Sequence, residues 1–167
     1  MLKHSTNGES ENYMETTQQI ELRKLAQLDV DAIELYEAAI QRISVPLLRD
    51  KLSEFRTDHE QHVVNLNAEL VKTGGKAIEA KPDLKGTALR GFTAVTSMMG
   101  DHAALLAMTA NEEITNRSYE KALKIDWSSS QRELIQQNYD DEKRHLAWIK
   151  MAAKEKPWEH ESQASVH

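Results

Sequence analysis

The stretch Asp141-Glu142-Lys143-Arg144-His145 contains the most informative spacing in the chain. On an α-helix, Glu142 and His145 leave the same face about one turn from each other. A carboxylate and an imidazole in this arrangement can bind one metal ion together. Asp141 lies beside them and could accept a hydrogen bond from an imidazole, which would set the tautomer of that ring. The stretch therefore predicts a metal-binding helix, and we expect the rest of the chain to direct this pair inward.

The composition excludes several classes of function. The chain has 167 residues, enough for one domain with a hydrophobic core, and abundant Ala, Leu, Glu, Gln and Lys favour helices over sheets. The formal net charge of −6 argues against general binding to nucleic acids or anionic membranes. The absence of cysteine excludes disulfides, thiolate metal sites and iron–sulfur clusters. Without a bilayer-spanning stretch or the apolar core of a signal peptide, we expect a cytoplasmic protein.

Apolar residues recur at steps of three and four along the first half of the chain, which is typical of helices that bury one face. We expect the first helix to begin at about Thr17 and to end before Pro46. A second helix should begin near Pro46, because proline suits a first helical turn. Gly74-Gly75 should end it.

The second half of the chain shows the same helical periodicity. A third long helix is expected from Asp101, which we predict to cap it, to about Ile125. After a turn over residues 126–129, a fourth helix should end before Pro157. A shorter helix is expected over residues 84–99.

The connections predict the topology. Short links join the first helix to the second and the third to the fourth, so each pair should form an antiparallel hairpin. The longer link between the hairpins can travel back along the bundle. The predicted fold class is all-α, a four-helix bundle of two hairpins joined by a long crossover that contains the short helix. We expect the bundle to span residues 16–156, with a disordered segment over 1–15 and a flexible tail over 157–167.

The two hairpins repeat the same polar pattern. Two pairs of segments match: 35–40 with 118–123, and 58–62 with 141–145. Tyr36 and Tyr119 occupy equivalent positions, and each follows a carboxylate by two helical turns, Asp29 and Glu112 respectively. Each acid therefore lies on the same helix stripe as its tyrosine.

Six side chains that normally favour water lie on the apolar stripes of these helices: Asp29, His59, His62, Glu112, Glu142 and His145. Burying three carboxylates in one layer is unfavourable unless cations compensate their charge. Two divalent metal ions would do so, and oxygen and nitrogen ligands without sulfur suit iron, manganese or zinc. Di-iron and di-manganese carboxylate proteins use this bundle geometry. We therefore predict a di-metal centre at these six residues.

Alternatives to this assignment remain open at this point. A stripe shifted by a few positions would exchange Glu112 for Glu113, or Asp29 for Asp31 or Glu34. His59 taken alone could be an ordinary core histidine. Asp58 and Asp141 are expected beside the ligands or in solvent, and both tyrosines could be plain core residues. A bundle whose polar layer is satisfied by its own hydrogen bonds is the alternative to a metal centre.

The pattern resembles the ferritin-like superfamily of carboxylate-bridged di-metal bundles, particularly its rubrerythrin-like members. Residues 141–145 fit that superfamily's Asp-Glu-x-Arg-His motif, and the spacing of Glu112 and Tyr119 is similar to that of rubrerythrin-like helices. Residues 85–123 also resemble a bacterial ferritin-like family of unknown function. The resemblance covers about residues 17–155. It departs from the usual ligand set where Asp29 and His59 replace glutamates.

The resemblance implies a protein that binds two iron ions and reacts with dioxygen or peroxide, as a ferroxidase, a peroxidase or a catalase-like oxidoreductase. It implies Glu112 and Glu142 as bridging or terminal ligands and His62 and His145 as imidazole ligands. Either buried tyrosine could donate a hydrogen bond or an electron. The departures at two ligand positions also allow a single metal, a zinc site or an asymmetric pair.

A second class of function is also compatible with the sequence. In this interpretation the chain is a non-catalytic structural or stress-associated interaction protein, and the polar layer is a zinc site or a vestige. A homodimer is compatible with either interpretation.

Overall fold

The computed structural model describes residues 15–82, 93 and 100–157. This part of the chain contains four long helices: α1 (Thr17–Ile40), α2 (Pro46–Lys72), α3 (Asp101–Ala122) and α4 (Ser129–Glu155). No described residue lies in a strand, and the predicted all-α four-helix bundle is confirmed. The short helix expected over 84–99 lies outside the described residues except for Thr93, as do residues 1–14 and 158–167.

Local sequence signals begin and end the helices. Thr16 and Gln19 form a capping box at the start of α1, and Ser128 and Gln131 form another at the start of α4. Pro46 is the first residue of α2, where its missing N–H leaves no hydrogen bond unmade. Just beyond the end of α2, Gly74 has a φ of 84°, a conformation that favours glycine. The predicted break after α2 therefore has a backbone cause.

Asp101 does not cap α3 as expected. Gly100 occupies the cap position and makes no side-chain capping bond. The carboxylate of Asp101 instead accepts hydrogen bonds from the Ser44 backbone N–H at 2.8 Å, the Ser44 hydroxyl at 2.9 Å and the Val45 N–H at 3.2 Å. These groups belong to the turn between α1 and α2, so Asp101 ties the first hairpin to the start of α3.

Two apolar clusters occupy different levels of the bundle. One includes Leu35, Leu52, Phe55, Leu105, Met108 and Ile149. The other includes Leu22, Leu25, Leu66, Leu70, Trp127 and Ile135. On α1 and α4 the predicted polar residues lie between members of the two clusters, so the polar layer is closed off by apolar side chains on both sides. Among the described residues, no helix is both long and apolar enough to cross a membrane.

Candidate metal centre

The six predicted metal-binding side chains are all buried and meet at one level of the bundle. None is more than 2% exposed. One helix of each hairpin supplies a single carboxylate, Asp29 from α1 and Glu112 from α3. The other helix of each hairpin supplies two groups: α2 supplies His59 and His62, and α4 supplies Glu142 and His145. The internal repeat seen in the sequence therefore corresponds to two halves of one centre.

One group of four ligand atoms comes from Asp29, His59, His62 and Glu142. The His59 Nδ1 atom lies 2.8 Å from Asp29 Oδ1 and 3.3 Å from Glu142 Oε1. The His62 Nδ1 atom lies 3.6 Å from Asp29 Oδ1 and 3.4 Å from Glu142 Oε1. Each residue offers one ligand atom, and the four atoms lie within 4.8 Å of one another. Such a group could hold one metal ion.

A second group comes from His59, Glu112, Glu142 and His145. The His59 Nε2 atom lies 3.7 Å from Glu112 Oε1, and the His145 Nδ1 atom lies 3.9 Å from Glu112 Oε2. One ligand atom from each of the four residues again falls within 4.8 Å of the others. The two groups share His59 and Glu142, so the structure places two potential ion positions side by side.

Several atoms of this centre have no hydrogen-bond partner among the described residues. They are His59 Nε2, His62 Nδ1, Glu112 Oε2, Glu142 Oε1, Glu142 Oε2 and His145 Nδ1. Buried polar atoms are nearly always paired, because an unpaired one loses its interaction with water and gains nothing in return. A cation bound among these oxygen and nitrogen atoms would satisfy them together. The donor set therefore fits a divalent metal.

The two buried tyrosines cross-link α1 and α3. Tyr36 donates a hydrogen bond to Glu112 Oε1 at 2.7 Å, and Tyr119 donates one to Asp29 Oδ2 at 2.5 Å. Each tyrosine therefore contacts the carboxylate of the opposite hairpin and not the one on its own helix stripe. The Asn138 amide donates to the Tyr119 hydroxyl at 3.2 Å and supports the second of these bonds. The other oxygen of each carboxylate, Glu112 Oε2 or Asp29 Oδ1, lies near the Nδ1 atom of a histidine of the centre.

Two aspartates also contact residues of the opposite hairpin. Asp141 of α4 lies next to His62 of α2, with Oδ2 and Nε2 3.3 Å apart. Asp58 of α2 lies next to His145 of α4, with Oδ2 and Nε2 2.9 Å apart. The outer nitrogen of each imidazole thus faces an aspartate while its Nδ1 faces the centre. Carboxylates in this position fix the orientation of metal-binding histidines.

Sequence reasoning assigned no role to Arg144, although the residue lies within the motif that it singled out. Its guanidinium lies 2.7 Å from Asp58 Oδ2, 3.0 Å from Asp141 Oδ1 and 3.3 Å from Glu54 Oε1. Arg144 therefore links the two aspartates that orient the histidines. Its position two residues after Glu142 was the available signal, but its partners lie mainly on another helix.

Asn116 is a second residue that the sequence did not single out. Its side-chain amide donates to the backbone carbonyls of Glu112 at 2.8 Å and Glu142 at 2.9 Å. It therefore joins α3 to α4 at the level of two candidate ligands. No feature of the sequence distinguishes it from an ordinary polar residue of a helix.

The alternative carboxylates lie elsewhere. Glu113 is partly exposed and pairs with Lys150 at 2.8 Å. Asp31 accepts a hydrogen bond from Gln27 at 3.0 Å. Neither belongs to the two groups of ligand atoms, which contain Glu112 and Asp29 at these levels of α3 and α1.

The pKa values of the acidic and basic groups in the centre are shifted in different directions. Burial opposes ionisation of Asp29, but hydrogen bonds from His59 and His62 outweigh it and lower the pKa of Asp29 to about 2. Burial, strengthened by the nearby Glu112 and Asp29 carboxylates, raises the pKa of Glu142 to about 7 in spite of His59. Burial also opposes protonation of His62, but Asp29 and Glu142 raise its pKa to about 10. Without metal, protons compensate the carboxylates.

A protein family described as "Domain of unknown function (DUF2383)" matches residues 18–125. The matched range includes Asp29, both histidines of α2 and Glu112, and ends before Glu142 and His145. No curated protein matches the chain.

Proposed function

Since the chain belongs to the DUF2383 family, whose function is unknown, we propose from the chemistry of the buried centre that it is a ferritin-like di-metal protein. The observation that carries the proposal is the convergence between the helices of six polar atoms, from five buried residues, that have no hydrogen-bond partner among the described residues. Three carboxylates at this depth are compatible with a folded core when divalent cations compensate them. Asp29, His59, His62, Glu112, Glu142 and His145 are the proposed ligands.

We propose iron as the metal, in keeping with the resemblance of residues 141–145 to the Asp-Glu-x-Arg-His motif. Bound iron would supply the electrons for reduction of dioxygen or peroxide, as in a ferroxidase or peroxidase. Manganese could occupy the same oxygen and nitrogen donors. The proposed activity is therefore that of an oxidoreductase acting on dioxygen or peroxide.

The surrounding residues prepare the ligands for this role. Burial and the adjacent carboxylate raise the pKa values of Tyr36 and Tyr119 well above 10.0, so both hydroxyls stay protonated and remain hydrogen-bond donors. They hold Glu112 and Asp29 in place. Asp58 accepts from the outer nitrogen of His145 and thereby keeps its Nδ1 lone pair directed at the centre. Apolar clusters on both sides exclude bulk water.

A structural zinc site is the second candidate, and the composition of the ligand set favours it. Three of the six proposed ligands are imidazoles, those of His59, His62 and His145. Zinc accepts imidazole and carboxylate ligands and has no redox chemistry. In that case the ion would only stabilise the bundle, and the chain would be a structural or interaction protein.

Metal analysis and oxidation together distinguish these candidates. The purified protein is loaded anaerobically with Fe(II), Mn(II) or Zn(II), and the bound ions are counted by mass spectrometry. The iron-loaded protein is then mixed with dioxygen or hydrogen peroxide, and oxidation is followed by near-ultraviolet absorbance. Two irons per chain with rapid oxidation support the oxidoreductase. Bound zinc with no oxidation of the iron form supports the structural site.

A matched pair of variants controls for folding. Glu142→Ala removes a proposed ligand common to both groups and should abolish metal binding while circular dichroism stays helical. Glu133→Ala removes an exposed carboxylate from the same helix and should change neither. If Glu142→Ala kept its full metal content, the proposed centre would be wrong.

A further inference from the structure

His59 differs from the other two histidines of the centre in what its ring nitrogens face. His62 and His145 each place Nε2 next to an aspartate and only Nδ1 toward the centre. Both nitrogens of His59 face carboxylates of the centre itself. Its Nδ1 lies 2.8 Å from Asp29 Oδ1, and its Nε2 lies 3.7 Å from Glu112 Oε1. One ring therefore spans both groups of ligand atoms.

Neighbouring rings hold His59 in this orientation. The ring centroids of Tyr36 and His145 each lie 5.2 Å from that of His59, and the centroid of His62 lies 5.6 Å away. The side chain is fully buried. Its Nε2 has no hydrogen-bond partner among the described residues. Because the lone pairs of an imidazole diverge, the two nitrogens cannot both bind one ion and are suited to two different ions.

The charge of the centre gives an independent reason to expect that His59 binds two ions. The three carboxylates, Asp29, Glu112 and Glu142, supply three negative charges, whereas two divalent ions bring four positive charges. A neutral His59 would leave a net positive charge buried between two apolar clusters, which is unfavourable. An imidazole that has lost both ring protons carries one negative charge and would balance the total.

We propose that His59 bridges two divalent cations as an imidazolate, with Nδ1 bound beside Asp29 and His62 and Nε2 bound beside Glu112 and His145. The inference rests on the proposed di-metal function. Each ion takes one lone pair of the ring, and the ring protons leave to solvent, so no oxidant or reductant is involved. Glu142, the other residue common to both groups, can join the same two ions through its two oxygens.

Nuclear magnetic resonance of the zinc-loaded protein tests the bridge directly. The chain is labelled with ¹⁵N-histidine and loaded with Zn(II), and the ring N–H signals are recorded. His59 should lose both of its ring N–H signals. His62 and His145 should each keep one N–H signal, from the nitrogen that faces an aspartate, and so act as internal controls.

The outcomes separate this inference from the proposed function. Two zinc ions per chain with no N–H on His59 support the bridge. Two zinc ions with an N–H retained on His59 overturn the bridge and leave the di-metal centre standing. One zinc ion per chain also overturns the bridge, since a bridge needs two ions. Failure to bind any added zinc, iron or manganese overturns the proposed function as well.

Variants of His59 provide a second measurement. His59→Glu replaces the bridge with a side chain that can also join two ions with one negative charge, so it should still bind two zinc ions. His59→Gln is neutral and should reduce zinc binding to one ion or fewer. His102→Gln changes an exposed histidine and serves as the control. Two ions bound by His59→Gln with unchanged affinity would refute the bridge.

Discussion

Substitution of Glu142 by glutamine should separate the stability of the bundle from its affinity for metal. The rise in the Glu142 pKa from 4.5 to about 7 means that the site disfavours the ionised carboxylate by about 3 kcal/mol relative to the protonated acid. Neither oxygen of Glu142 has a hydrogen-bond partner among the described residues. Glutamine has nearly the same shape and no charge. At about pH 8 the metal-free Glu142→Gln protein should therefore be as stable as the parent, or more stable by up to about 3 kcal/mol.

Metal affinity should change in the opposite direction. A pair of unit charges 4 Å apart contributes ~4 kcal/mol at an effective dielectric constant of ~20, and a divalent ion interacts more strongly. A loss of ~4 kcal/mol corresponds to roughly 1,000-fold weaker binding. Since Glu142 belongs to both groups of ligand atoms, both ions should be affected.

Two measurements check this prediction. Urea denaturation of the metal-free proteins at about pH 8 gives the free energy of unfolding, and competition with a chelator gives the metal affinity. Glu133→Gln, an exposed change on the same helix, should leave both unchanged. A Glu142→Gln protein that is destabilised by more than ~2 kcal/mol but binds metal normally would show that Glu142 has a structural role, and the reasoning above would be refuted.

Three further predictions concern the groups around the ligands. Tyr119→Phe should lower the free energy of unfolding by about 1–3 kcal/mol in urea denaturation, because it leaves the buried Oδ2 atom of Asp29 without the Tyr119 donor; unchanged stability would contradict this. Asp58→Asn should weaken metal binding about 10–100-fold in chelator competition while the helical circular dichroism stays the same, because Asp58 orients His145; unchanged affinity would argue against that role. The metal-free protein should lose stability as pH rises from 6.5 to about 10, because the folded state raises the pKa of His62 over that interval and so binds its proton more tightly than the unfolded chain does. The free energy of unfolding, measured by urea denaturation at several pH values in this range, should depend less on pH in His62→Gln than in the parent. An equally steep decline in that variant would contradict the assignment.

Periodicity within each helix was enough to predict the bundle and the depth of its polar residues. Asp29, Glu112 and Glu142 recur with apolar neighbours at steps of three and four, and that spacing directs side chains to one face of a helix. Capping boxes and prolines are local signals, so the starts of α1, α2 and α4 were also predictable. Asp101 shows the limit of local signals, since its partners are backbone groups on another turn.

Contacts between helices depended on the tertiary structure. The sequence pattern placed Tyr36 on the stripe of Asp29, but the Tyr36 hydroxyl donates its hydrogen bond to Glu112. Asp141 likewise contacts His62 of another helix and not the neighbouring His145. The period of one helix contains no information about the rotation or the axial register of the helix packed against it, and these two quantities choose the partner of each polar atom. They are set by how the apolar clusters on either side of the polar layer fit together, which is a property of the assembled bundle.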